Sequence, residues 1–150
     1  MFGSLEAIVI NYGYFGLFLA SFFASTILPF GSEGLVLLLI YEKFNFWVVV
    51  LVASSGNFLG ACTSYYIGWK GRNFVEKYLK IDPKDIEKAD KYFSRYGSFL
   101  LLFTWLPLIG DVFTVVGGLL RLKFWIFSVF VFTGKFLRYL AVAYLAGVFL

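Results

Sequence analysis

The chain has 150 residues, of which 61% are apolar and 23% aromatic, with a formal net charge of +4 and a mean hydropathy of +0.84. No soluble domain of this size carries so much apolar surface on so few charges, so the class is an all-α integral membrane protein. Histidine is absent and Cys62 is the only cysteine, which excludes His-based acid–base catalysis, Ser-His and Cys-His nucleophile pairs and an intramolecular disulfide.

Residues 1–13 form a short lead-in without a basic n-region or a small-residue cleavage site, so no removable signal peptide is expected. Residues 14–41 are an apolar run broken by Leu-Pro-Phe-Gly-Ser-Glu-Gly at 28–34, with Pro29, Gly31 and Glu33 at the break. Residues 44–69 are long enough to span a bilayer. They carry the small residues Gly56, Gly60, Ala61, Ser64 and Gly68, which suit close helix packing.

Residues 70–97 are the only strongly charged stretch. Asp82 is placed to cap a helix there, with Pro83 at its first position and Asp85 in its first turn. Ile86, Ala89, Phe93 and Tyr96 share one face, and Lys84, Lys88, Lys91 and Arg95 another. Such a helix fits a membrane interface or a solvated connector with one packed face. Residues 98–150 are again apolar, broken at Pro107-Leu108-Ile109-Gly110-Asp111 and at Arg121-Leu122-Lys123.

An ungapped repeat at an offset of 78 residues organises the chain. Leu28-Pro29 matches Leu106-Pro107, Glu33 matches Asp111, Lys43 matches Arg121, and Phe46-Trp47 match Phe124-Trp125. Gly56 matches Gly134, and Asn57 is the counterpart of Lys135. We read one membrane domain over 1–150, with repeat 1 at 14–69, an amphipathic linker at 70–97 and repeat 2 at 92–147.

Each broken segment either spans the membrane or dips in and returns. A proline inside a helix costs about 3 kcal/mol and a central acid roughly 2.5–3.5 kcal/mol, and both costs fall where the break is a turn buried in protein. If the segments are re-entrant, ten basic residues gather on the side of the linker and Lys43 alone lies opposite; if they span, the division is eight against three. The positive-inside rule prefers the first, with the linker cytoplasmic. The repeats are then inverted, and turns at Pro29, Gly31, Pro107 and Gly110 bring Glu33 and Asp111 toward one polar cavity, as in many transporters.

Glu33 and Asp111 are candidates for proton or cation coupling, or for capping the helices that follow the breaks. Lys135 and Arg138 are three apart in the last apolar segment, placed either to neutralise those acids or to bind a lipid phosphate. Asn57 and Arg121 complete the candidate phosphate-binding set, Arg121 also suiting interfacial anchoring beside Phe124-Trp125. No metal, cofactor or nucleic-acid site is expected.

Leu-Pro-Phe-Gly-Ser-Glu at 28–33, Gly56 to Gly71, and the stretch from Tyr92 to Phe127 followed by Gly134 to Leu140 resemble, in that order and spacing, the DedA family of SNARE-associated or VTT-domain proteins, most of all its YqaA-like branch. The resemblance covers roughly 14–147. It implies facing re-entrant segments and translocation of phosphate-bearing lipids, undecaprenyl phosphate or phospholipid, in a bacterial-type inner membrane, with proton coupling in some members. It places the first-loop acid on Glu33. The family's second-loop pattern, Arg-aromatic-x-Pro-x-x-Arg, falls on Thr104 to Gly110, so neither arginine is present, and Ala61 stands where an Asp often follows the second motif's Gly. The expected function is a multi-pass lipid translocase, not an enzyme, whose partners are anionic membrane lipids, with a homodimer left open. The alternative is a proton- or cation-coupled transporter of a small solute.

Overall fold

A computed structural model describes residues 2–26, 32–78, 82–106 and 109–150, with side chains throughout except at 2–10, 26, 78 and 109. Pro29, Gly31 and Pro107, assigned above to the two turns, lie outside the described residues. The elements are α1 (Phe2–Thr26), α2 (Ser32–Tyr41), α3 (Phe46–Trp69), α4 (Arg72–Tyr78), α5 (Pro83–Tyr96), a 3-10 helix (Gly97–Trp105), α6 (Ile109–Leu119) and α7 (Phe124–Phe149). No strand occurs among them. Helices α3 and α7 are long and apolar enough to cross a bilayer, at 24 and 26 residues, while α2 and α6 are short apolar helices.

The chain divides into two compact units. The first holds residues 1–60 and 136–150, the second 61–135. Helices α3 and α7 therefore each contribute to both.

In the first unit α1 changes direction at Gly13 (φ 45°, ψ −113°), so the lead-in is a helix of its own joined through a kink. Beyond the kink, α1 and α2 pack on one another. The Tyr14 hydroxyl accepts a hydrogen bond from the Asn45 N–H at 3.2 Å, and the Tyr14 and Phe44 rings meet edge to face at 5.3 Å. The chain that leaves Tyr14 along α1 thus comes back to Tyr14 at the end of α2. The core of this hairpin is Leu17, Val36, Leu39, Val49, Val50, Ala53, Tyr139 and Ala143. Helix α3 approaches α1 through Gly56 and Gly60: a Cβ would stand 2.5 Å from the Phe18 carbonyl oxygen at Gly56 and 2.6 Å from that of Phe22 at Gly60. Ser21 and Ser25 face the same two glycines, so small residues four apart oppose each other on both helices.

In the second unit Asp82 caps α5 as expected, accepting from the Lys84 N–H at 2.9 Å, with Pro83 at the first turn. The apolar face of α5 is already occupied. Ile86, Ala89 and Phe93 are buried and Phe93 packs edge to face on Phe113 at 5.7 Å. The basic residues Lys84, Lys88, Lys91 and Arg95 stay exposed on the outer side of the helix, an arrangement that fits both the interfacial and the connector reading. Helix α6 meets the end of α3 through two glycines. A Cβ at Gly118 would strike the Tyr65 carbonyl, and one at Gly68 the Val115 carbonyl.

The repeat seen in the sequence recurs in backbone hydrogen bonds. After α2, Lys43 N–H donates to Ile40 C=O at 3.1 Å and Phe44 N–H to Leu39 C=O at 3.0 Å. After α6, Arg121 N–H donates to Gly118 C=O at 3.0 Å and Leu122 N–H to Gly117 C=O at 3.1 Å. Each pair is a Schellman C-cap. Its left-handed position is taken by Lys43 (φ 65°) and Arg121 (φ 52°), the two non-glycine residues with positive φ among those described. A side chain normally disfavours that conformation, so the same local cost recurs 78 residues apart. The matching stops before the breaks: α1 precedes the first and a 3-10 helix the second.

Gly118→Ala is expected to lower thermal stability in detergent by about 1–3 kcal/mol through overpacking against backbone. Gly34→Ala, where a Cβ would meet nothing within 4 Å, is expected to leave the melting temperature unchanged or slightly raised. Melting curves of the two variants check this.

Candidate functional site

In the first unit, α2 begins immediately after the break and carries Ser32 and Glu33 in its first turn. The four free N–H groups and the helix dipole at such a terminus favour an anion. Opposite stand Arg138 and Tyr139 of α7. Arg138 Nη2 forms an ion pair with Glu33 Oε1, with side chains 17% and 27% exposed. Tyr139, fully buried, has its hydroxyl 2.7 Å from Ser32 Oγ. Two consecutive residues on α2 are thereby tied to two consecutive residues on α7, one link ionic and one between hydroxyls. Arg138 also lies 5.8 Å over the Tyr139 ring, which fixes the guanidinium beside the acid.

Asn57 is buried and its Nδ2 donates to the Ser21 carbonyl at 3.1 Å, joining α3 to α1. Asn57 and Ser21 both approach the Tyr139 hydroxyl. Asn57 Oδ1, Ser21 Oγ and Ser25 Oγ are nonetheless buried without a well-formed hydrogen bond among the described residues. Such groups are costly in an apolar interior, so this unit keeps acceptor capacity that its own backbone does not consume.

The second unit holds Asp111 in the first turn of α6 and Lys135 of α7, which is 2% exposed. Their opposite charges act on each other. Thr114 Oγ1 donates to the Asp111 carbonyl at 2.7 Å, and Thr104 Oγ1 to that of Leu101 at 2.8 Å. Gly110 is packed on the Thr104 carbonyl, where a Cβ would collide. Its N–H donates to the Leu106 carbonyl at 2.9 Å. The arginine pattern described above would put a side chain at both 104 and 110, and this backbone contact leaves no room for one at 110.

Arg121 takes a different place. Its guanidinium lies 4.7 Å over the Trp69 ring, at the cap of α6. Sequence reasoning missed Tyr139 and Ser32. The available signal was that each directly adjoins a residue already singled out, on the two segments that carry the charges.

The VTT domain family matches residues 28–147 of this chain. The chain belongs to that family. It is 37% identical over 145 residues to an uncharacterized protein of Haemophilus influenzae, covering 89% of this chain and 87% of that one. It is 36% identical over 130 residues to the inner membrane protein YqaA of Escherichia coli, covering 86% and 87%. It is 31% identical over 133 residues to the membrane protein YkoX of Bacillus subtilis, covering 79% and 56%. The VTT-family chain described here is thus a YqaA-like membrane protein. No solved structure matches it.

Arg138→Gln is expected to destabilise this VTT-family chain by about 3 kcal/mol, since it leaves the Glu33 carboxylate half-buried and unpaired. The double variant Glu33→Gln/Arg138→Gln is expected to recover most of that loss. Tyr139→Phe, which strands the Ser32 hydroxyl, is expected to cost about 1–2 kcal/mol. Denaturation of the four proteins in one detergent gives the comparison.

Proposed function

We propose that this chain is a lipid translocase that moves a phosphate-bearing lipid, such as a phospholipid or a polyprenyl phosphate, across a bacterial inner membrane. One observation carries the reading. Each short apolar helix presents an acid in its first turn, and the long helix α7 carries the cations: Arg138 forms an ion pair with Glu33, and buried Lys135 lies within electrostatic influence of Asp111.

A lipid phosphate would compete with Glu33 for Arg138, because guanidinium binds phosphate bidentately as well as carboxylate. The released carboxylate then takes a proton or stays solvated, which gives a route to proton coupling. In the second unit, buried Lys135 offers a cation to a phosphate in the same way. Asn57, with an acceptor to spare, orients the headgroup's hydroxyls. The lipid tails stay in the bilayer throughout.

We take the broken segments to be re-entrant and the repeats inverted, with the linker cytoplasmic. The return of the chain from Tyr14 to Asn45 supports this for the first segment, and the ten-to-one division of basic residues supports the orientation. The family and the inner-membrane relative are consistent with it.

Purified protein in liposomes is expected to move a fluorescent phospholipid or polyprenyl phosphate faster than empty vesicles do. Arg138→Gln is expected to slow that movement on the order of tenfold, the loss of one charge-assisted bond of about 1.5 kcal/mol or more. Lipid movement no faster than in empty vesicles, from folded protein, overturns the proposal. Uptake of a soluble tracer that is lost in Glu33→Gln or Asp111→Asn instead establishes the coupled solute transporter.

A further inference from the structure

The second unit carries an aromatic stripe that the charged pairs do not use. Tyr92, Tyr96, Phe99 and Phe103 recur at spacings of four, three and four, crossing from α5 into the 3-10 helix. They are exposed by 53%, 50%, 67% and 47%, although Ile86, Ala89 and Phe93 of α5 are buried, so Tyr96 departs from the apolar face on which its spacing put it. The stripe is ordered rather than loose: the Tyr92 and Tyr96 rings stack at 6.4 Å, and the Arg95 guanidinium lies 5.4 Å over Tyr96. With Leu106 and Phe113 these four side chains line an open groove of about 680 Å³ whose wall is almost wholly apolar.

Arg95, with its guanidinium over the Tyr96 ring, brings a cation to the α5 end of this groove. Lys91 and Arg95 are exposed neighbours of Tyr92 and Tyr96 on α5, whereas Gly97 to Leu106 contain no charged residue. A site that is apolar along its length and cationic at one end complements an amphiphile with an anionic head. A small solute would leave the groove empty, and a polar segment would strand its backbone groups there.

We propose that this groove binds an anionic diacyl phospholipid, with one acyl chain along Phe99 and Phe103 and the phosphate at Lys91 and Arg95. Tyr92 and Tyr96 sit at the join, where their rings face the chain and their hydroxyls the head. None of the residues that line the groove is Glu33, Arg138, Asp111 or Lys135. It requires only that the protein be embedded in a bilayer, so it stands or falls independently of translocation.

The test uses the full-length protein in nanodiscs doped with phosphatidylglycerol carrying a diazirine in one acyl chain, and in parallel with the matching phosphatidylcholine. After irradiation, adducts are mapped by peptide mass spectrometry. The expected result is labelling concentrated on the peptide spanning 92–106, at least several-fold greater for phosphatidylglycerol. Lys91→Glu/Arg95→Glu, both on the exposed face, is expected to abolish the preference for the anionic lipid while the melting temperature holds. Phe99→Ala is expected to reduce labelling by both lipids. Equal labelling by the two lipids, labelling spread over the exposed sides of α3 and α7, or protection of the peptide by a second copy of the chain overturns the proposal. A loss of lipid movement in liposomes without a change in this labelling touches the translocase reading alone.

Discussion

The tie between α2 and α7 governs the chemistry of this protein. A carboxylate in an apolar helix is tolerated when a cation meets it, and Glu33 meets Arg138. The adjoining hydroxyl link from Ser32 to Tyr139 holds the two backbones in register, so the ion pair is not left to two flexible side chains alone. The break before α2 serves this arrangement. It places a helix N-terminus, with its unpaired N–H groups, where the acid is needed.

Glycine makes the close approaches that such pairs require. Gly56 and Gly60 let α3 come against the α1 backbone, and Gly68 and Gly118 do the same for α3 and α6. Lipid tails are as apolar as leucine, so helix contact in a membrane depends on close packing and polar links more than on expelling water. The exposed large side chains of α3 and α7, Leu51, Leu59, Leu137 and Val148 among them, fit faces turned to lipid.

The two copies of the repeat agree where the backbone is turned and differ where chemistry is offered. Lys43 and Arg121 close the same C-cap with the same hydrogen bonds, yet Arg121 is stacked on Trp69. Asn57 and Lys135 occupy matching positions and are both buried. One is an amide joined to the α1 backbone and the other a cation opposed by Asp111. The repeat thus supplies a common frame, and substitution at matching positions makes the two units chemically unequal.

Much of the frame was legible in the sequence. Hydropathy marked α3 and α7, the offset of 78 matched α2 with α6, Asp82-Pro83 announced α5, and the small residues of α3 pointed to close packing. These follow from local rules, because capping, turn geometry and apolar length act over a few neighbouring residues. The roles of single side chains were less legible. The spacing of Lys135 and Arg138 put them on one face but left open which acid each would meet. Adjacency to Arg138 and Glu33 was the one sequence signal for Tyr139 and Ser32 as polar partners, since a tyrosine and a serine are otherwise ordinary in an apolar helix. Composition did not decide that α5 spends its apolar face inward and leaves Tyr92 and Tyr96 outside. Helix lengths, the α5 cap and the matching C-caps after α2 and α6 could be read from neighbouring residues alone. Which polar groups meet could not, because that depends on contacts such as Ser32 with Tyr139, made across 107 residues of chain.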